Sequence, residues 1–377
     1  MKEFSVGGSM MKETNIYRSH YSVVIVGAGP AGSNLARRID SKKYDVLLID
    51  GAEQKGDKAC GGLLSPDAQD LLAEYDISLP REILVSPQLF SVRTIDLEIE
   101  DVQHYRRSYM NIDRAKFDRF LLEMVPDTVD VLRAVCKTVR RHGEGFTLQL
   151  KTKDGEKTIH CDYLIGADGA NSIVRKCVFP CNKIQKYVAI QQWFEAEQEN
   201  PYYSCVFDNA TSPSCSWIFF KDGNMVFGGA FSSTHCREAF EIQKTKLIEK
   251  GIVPAYVFEK PVKTEACMVA RPHFLSGICQ GDGNAFLIGE AAGFISPSSL
   301  EGISFALSSA ESLARAFEKG MDGKNIIRYY KNGTRKLCLK VKCKCVKRPF
   351  MYNKILRTLI LKSGVAAIKM KLQERKV

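Results

Sequence analysis

The sequence predicts an α/β protein: a Rossmann-like dinucleotide-binding domain, interrupted by an antiparallel β-sheet domain and followed by a basic helical tail. Three observations carry that prediction. A β-branched run near the N-terminus, Tyr21 to Val26, ends in a glycine-rich turn that opens a helix. Two further strand, turn and helix junctions follow, after Ile165 and after Ile288. Between these two the chain alternates short strand-like runs.

Length and composition set the frame. At 377 residues, the chain has room for two domains of about 150 residues each. With 45% hydrophobic and 26% charged residues and a mean hydropathy of -0.16, it reads as globular, not disordered, collagenous or repetitive. Its longest apolar runs, such as Val23 to Gly29, fall short of the roughly 18 residues of a membrane span. Its 13 cysteines are scattered without a framework, which predicts free thiols in a reducing, cytoplasmic compartment. The pairs Cys177/Cys181 and Cys343/Cys345 lack a second pair at finger spacing, so no metal site is expected. Residues 1–20 are polar, carry Met10 and Met11, and read as a loose leader.

The first element is the strand Tyr21 to Val26, followed by Gly27-Ala28-Gly29-Pro30-Ala31-Gly32 and a helix through Ile39. Gly27 permits the tight turn and Gly29 lets backbone approach a pyrophosphate. Gly32 lets the helix pack on the strand with its N-terminal amides facing the phosphates. A glycine turn alone is weak evidence, but a second strand, Tyr44 to Ile49, ends in Asp50, where a carboxylate accepts from ribose hydroxyls. That carboxylate would repel a 2′-phosphate, leaving NAD or FAD and not NADP.

The next junction runs from Asp162 to Ile165 into Gly166-Ala167-Asp168-Gly169-Ala170-Asn171-Ser172. The third runs from Asn284 to Ile288 into Gly289-Glu290-Ala291-Ala292-Gly293, with Glu301-Gly302-Ile303 opening a long helix to about Phe317. Together the three turns resemble the signatures of the flavoprotein hydroxylase and geranylgeranyl reductase superfamily. A pure NAD dehydrogenase would not need the third turn. The resemblance narrows at Lys58-Ala59-Cys60-Gly61-Gly62, similar to the cysteine-glycine-glycine motif of geranylgeranyl reductases, and at Ser216-Trp217-Ile218-Phe219, similar to their substrate-cavity strand. Stretches such as CGGLLSPDAQ, YVAIQQWF and FLIGEAAGFIS resemble the CbrA-type branch of that family, over about residues 21–320.

The resemblance implies an FAD-binding domain of the glutathione-reductase or hydroxylase type. It implies FAD contacts at Gly27, Gly29, Pro30, Ala31, Gly32, Asp50, Gly61, Gly62, Arg114, Val135, Asp168, Gly169, Gly289, Glu290, Gly302 and Ile303. It further implies Cys60 as proton donor or flavin-adjacent thiol, and Trp217 and Phe219 as walls of an apolar substrate cavity. Three departures stand out. Glu290 replaces the usual Asp, Leu300 stands where glycine is common, and Cys215 and Phe220 replace a Tyr and a Pro around the tryptophan motif. From the residues alone, core packing remains an alternative for Cys60 and for the Trp217/Phe219 pair.

The organisation expected is a leader (1–20), an FAD domain in two pieces (21–185 and 272–322), an inserted substrate or cap domain (186–271) and a basic tail (323–377). The inserted part is read as strands over Tyr187 to Phe194, Tyr202 to Phe207, Ser214 to Phe220 and Asn224 to Phe231, with a helix near Glu238 to Glu249. The Cys60 segment is read as helical.

The function expected is FAD-dependent reduction of carbon–carbon double bonds in an isoprenoid or other apolar lipid, by hydride transfer from flavin N5. Either NAD(P)H or a ferredoxin-like protein could serve as electron donor. The alternatives are an FAD monooxygenase of the aromatic-hydroxylase type and a non-catalytic lipid-binding flavoprotein. The net charge of +11 is concentrated in the tail: residues 328–377 hold 16 Lys and Arg against one acid, Glu374, while the rest of the chain holds 38 basic and 42 acidic residues. Cations there alternate with apolar residues, which predicts peripheral binding to the anionic inner face of a membrane rather than to nucleic acid.

Overall fold

The computed structural model describes residues 17–51, 59–196, 200–274 and 276–363. In chain order the elements are β1 (His20–Val26), α1 (Pro30–Arg38), β2 (Val46–Asp50), β3 (Leu63–Leu64), α2 (Pro66–Glu74), β4 (Ser91–Asp96), β5 (Asp101–Tyr105), β6 (Met110–Asn111), α3 (Arg114–Glu123) and β7 (Asp130–Arg133). Then follow β8 (Val135–His142), β9 (Gly145–Thr152), β10 (Gly155–Gly166), α4 (Ile173–Val178), β11 (Gln185–Glu195), β12 (Tyr202–Phe207), β13 (Ser216–Lys221), β14 (Asn224–Phe231) and α5 (Cys236–Glu249). The chain ends through β15 (Lys263–Arg271), β16 (Gly281–Asp282), β17 (Ala285–Leu287), α6 (Ile303–Lys319), α7 (Gly323–Gly333), α8 (Arg335–Tyr352) and α9 (Lys354–Lys362).

The first sheet has the strand order β16-β17-β10-β1-β2-β7, with β8 and β9 folding back on β10. Its inner strands β1, β2, β10 and β17 run parallel. That arrangement suits the uninterrupted apolar character of β1 and β2, because a parallel strand is covered on both faces. Proline at the first position of α1 costs no helical hydrogen bond. Helix α6, returning near the end of the chain, packs on this sheet and contributes Phe305, Ala310, Leu313 and Phe317 to its core. Strands β16 and β17 and helix α6 thus belong with the first sheet.

The second sheet has the order β15-β11-β14-β13-β12-β4-β5, with α5 laid over it. Phe194, Phe227, Phe231, Phe240 and Phe258 form its core on that side. Strands β4 and β5 come from residues before the inserted segment, with β4 joining β12 in parallel. The sheet is therefore built from two stretches of chain, not from 186–271 alone.

Two local expectations change. The Cys60 segment is not helical: Ala59 to Gly62 is irregular, and α2 begins only at Pro66. The glycine pair explains this, since glycine is a poor helix former and Gly62 adopts φ +61, outside the helical region. The described part of the tail, to residue 363, is helical, but it is not all solvent-facing. Val341 is buried in the first domain's core and Arg357 is buried against the second sheet.

Candidate active site

A cavity of about 690 Å3 lies between the two sheets. The glycine turns form one end, and they do so for local steric reasons. Gly27 sits at φ +105 with the Ala167 backbone where a side chain would be. A Cβ on Gly32 would overlap the Gly27 carbonyl, so α1 approaches β1 only because that position is glycine. At Gly29 the space is open, with nothing within 4 Å of where a Cβ would stand.

Gly27, Gly29, Pro30, Ala31, Asp50, Cys60, Gly61, Gly62, Arg114, Asp168, Gly169, Trp217, Phe219, Glu290, Gly302 and Ile303 all line this cavity. Three positions named from the sequence do not. Gly32 works behind the wall as just described. Gly289 also does, at φ +56 beside the Ala31 methyl, with its amide donating to Ser309 Oγ. Val135 exposes its side chain at the start of β8, one residue beyond Ala134, whose amide donates to the Asp50 carbonyl.

The carboxylates differ in their surroundings. Asp50, at the end of β2, is buried, with Arg133 3.6 Å away. Asp168 Oδ2 accepts from the amides of Ile173 at 2.6 Å and Val174 at 3.3 Å, tying the second turn to α4. Its Oδ1 is buried without a partner, and burial raises the carboxyl above its ordinary range despite bonds from Ser172 and the backbone. Glu290 uses its extra methylene to span the two sheets: Oε1 accepts from the Ala270 amide on β15 at 2.9 Å.

Cys60 lies where the glycine end meets the second sheet. Arg114, the first residue of α3, donates from Nη1 to Cys60 Sγ at 3.0 Å and from Nε to Asp118 at 2.8 Å. Burial works against the guanidinium charge, but Asp118 and Cys60 together hold its pKa above the ordinary value. The Phe219 ring packs on Gly61, 3.2 Å from where a Cβ would be, so the motif's glycine allows the ring this close. Lys221, buried at the end of β13, donates to the Ile112 carbonyl, while the Ile112 amide donates to Gly62 at 2.9 Å. Burial lowers the Lys221 pKa to about 8.

The far end is aromatic, with a charged cluster. Tyr203 stacks on Phe219 with ring centroids 6.2 Å apart and meets Tyr109 at 5.4 Å. Tyr109 donates to Glu301 at 2.6 Å, and Arg107 bridges both. Burial, then Glu301, push the Tyr109 phenol well above its usual range. Cys205, Cys215 and Met351 complete this wall, with Lys344 and Lys347 of α8. The sequence reading missed Arg107, Tyr109, Glu301 and Lys221. Only Glu301 carried a usable signal, through its place directly before Gly302; Lys221 reads as an ordinary strand-end cation ahead of the Asp222-Gly223 turn.

The cavity fits FAD on its own geometry. The open cradle at Gly29, the buried Asp50 and the unpartnered Asp168 Oδ1 are what a pyrophosphate, a ribose and a further polar group of a long dinucleotide require.

Comparison with known proteins agrees. A family model described as FAD binding domain matches residues 20–336. The Protein CbrA of Escherichia coli O6:H1 is 43% identical over 354 residues, covering 93% of this chain and 95% of that protein. The Protein CbrA of Shigella sonnei is 42% identical over 354 residues, covering 93% and 98%. Among solved structures, a geranylgeranyl bacteriochlorophyll reductase-like protein from Thermoplasma acidophilum superposes with a TM-score of 0.75 at 18% identity, covering 91% of each chain. PqsL from Pseudomonas aeruginosa, a probable FAD-dependent monooxygenase, superposes with a TM-score of 0.66 at 15% identity, covering 91% of this chain and all of that one. The fold is thus shared with a reductase-like protein and a probable FAD-dependent monooxygenase, and the chain belongs to the FAD binding domain family, with FAD as its cofactor.

Proposed function

We propose that the protein reduces carbon–carbon double bonds of an isoprenoid or other apolar lipid. The observation that carries this reading is the continuity of the cavity. The dinucleotide turns open directly into a chamber walled by Tyr203, Trp217, Phe219 and Met351, with Cys60 at the junction. Such a chamber suits an apolar chain, since burying it there removes its surface from water.

Gly27, Gly29, Asp50, Asp168, Glu290 and Gly302 would hold the cofactor. FAD, once reduced by two electrons, supplies a hydride. The chain must then deliver a proton to the other alkene carbon, a role we assign to Cys60, which lines the cavity beside both the glycine turns and Phe219. The sulfur anion left behind would be stabilised by the Arg114 guanidinium. Lys221, through Ile112, fixes the neighbouring Gly62 and so holds the thiol in position. The aromatic wall excludes water from the reacting carbons.

The test is a single-turnover assay under anaerobic conditions. Protein with reduced flavin is mixed with a geranylgeranyl lipid, and the product is read by mass spectrometry. Gain of two hydrogens, with loss of most of that product in Cys60→Ser while FAD is retained, is the expected outcome. An oxygenated product formed only in air would replace this reading with a monooxygenase.

A further inference from the structure

Helix α8 has two faces with different surroundings. On one, Val341, Cys338 and Cys345 pack against the first domain, and along the edge between it and the outer face Met351 and Lys347 form part of the cavity wall. On the other, Leu339, Cys343, Val346 and Phe350 recur at helical spacing and are left uncovered, with Leu339 62%, Val346 55% and Phe350 46% exposed. Ile355 and Leu359 continue the exposed apolar surface on α9, at 71% and 62%. Over residues 335–363 the sequence has ten Lys and Arg and no Asp or Glu.

We infer that the outward face of α8 and α9 docks the protein on an anionic phospholipid bilayer. Charge decides among the occupants of this face. Of the ten cations, Lys340 is paired with Asp67 and Arg357 with Asp96 and Glu98; a second copy would still set the remaining cations against like charge, and residues 364–377 add four more cations with one acid, so neither neutralises the surface. Nucleic acid would neutralise it but would leave the apolar stripe in water. An anionic bilayer takes both: headgroups meet Lys336, Lys342 and Lys354, and the stripe enters the interface. Arg357 is not among the docking cations, since it is buried with Asp96 and Glu98 and anchors α9 to the second sheet. Lys347 is exposed and also lines the cavity, so the chamber reaches the surface beside the docked helix. A bilayer lipid could enter it without crossing water. Among the described residues no helix is long and apolar enough to cross a membrane, so the contact is interfacial.

This inference supplies a partner for the lipid-reductase reading, but its readout needs no turnover, so either can fail alone. Full-length, flavin-loaded protein is sedimented with vesicles of equal parts phosphatidylglycerol and phosphatidylcholine at low salt. The expected result is co-sedimentation that falls about tenfold or more with phosphatidylcholine alone, at high salt, and in a Val346→Glu/Phe350→Glu variant that keeps its flavin absorbance. Should that variant fail to fold, Lys336→Gln/Lys342→Gln must weaken binding instead. Equal sedimentation of wild type and variants, or none of wild type, overturns the inference. So does a wild-type dimer that the glutamate pair converts to monomer, which would assign the face to a second copy.

Discussion

Leu300 lines the cavity at φ +57, a backbone conformation that favours glycine. For an L side chain it costs on the order of 1–2 kcal/mol, and such strain collects at ligand sites. Two substitutions separate strain from packing. Leu300→Ala loses the side chain and keeps the strain, whereas Leu300→Gly loses both. The glycine variant should therefore be the more stable of the two by about 1 kcal/mol in denaturant melts, the reverse of the usual order. An alanine variant as stable as the glycine one would show that the position bears no strain. Lys221 offers a pH signature. Its folded pKa, about 8, lies below the ordinary 10.5 because the amine is buried. The unfolded chain thus holds the proton more tightly, so this residue's contribution to stability rises with pH between about 8 and 10.5 and is lost as pH falls through 8. The total is about 3 kcal/mol by shift arithmetic. Subtracting the stability curve of Lys221→Met from that of wild type should expose that rise, and parallel curves would mean that the amine is not buried as described.

Elements were legible in the sequence where their cause is local. The run of Tyr21 to Val26, the turn at Gly27 to Gly32 and the acid at Asp50 follow from neighbours along the chain, and β1, α1 and β2 form accordingly. The site turns at Asp168 and Glu290 were readable for the same reason. What stayed hidden depends on distant partners. Nothing within Ser91–Asp96 says that it will pair in parallel with Tyr202–Phe207, and Tyr109 gives no local hint of its bond to Glu301. Arg357 reads as one more tail cation, yet its Nε meets Asp96 and its Nη2 meets Glu98, each at 2.5 Å. Removing one partner of a buried pair leaves the others uncompensated, at about 3–5 kcal/mol. Arg357→Ala should therefore release α9 from the second sheet, seen as faster amide hydrogen exchange over 354–362, with exchange in β1 unchanged. Uniform acceleration through both domains would instead make the anchor part of the global fold, and no acceleration would make it dispensable.

At the scale of the whole molecule, the cofactor cavity is the place where distant parts of the chain meet. Gly27, Asp50, Arg114, Asp168, Trp217 and Ile303 come from strands, turns and helices spread over residues 27–303, and they line one cavity. A ligand held by all of them binds the assembled protein and not the unfolded chain, so FAD must raise the stability of the fold by mass action. At a free concentration about 100 times its Kd, the gain is about 2.7 kcal/mol. Spread over the unfolding entropy of a chain this long, that is a rise of about 3 °C in melting temperature. Protein stripped of flavin and titrated with FAD should show this rise, approaching its full size only when FAD is well above Kd. Asp50→Ala should show a smaller one at equal FAD, because losing the charged acceptor of a ribose weakens binding by about 1–3 kcal/mol. Riboflavin, which lacks the adenosine and pyrophosphate that the Gly29 turn and Asp50 would hold, should give little of the shift. A full shift with riboflavin would move the binding energy away from the glycine turns and into the ring chamber.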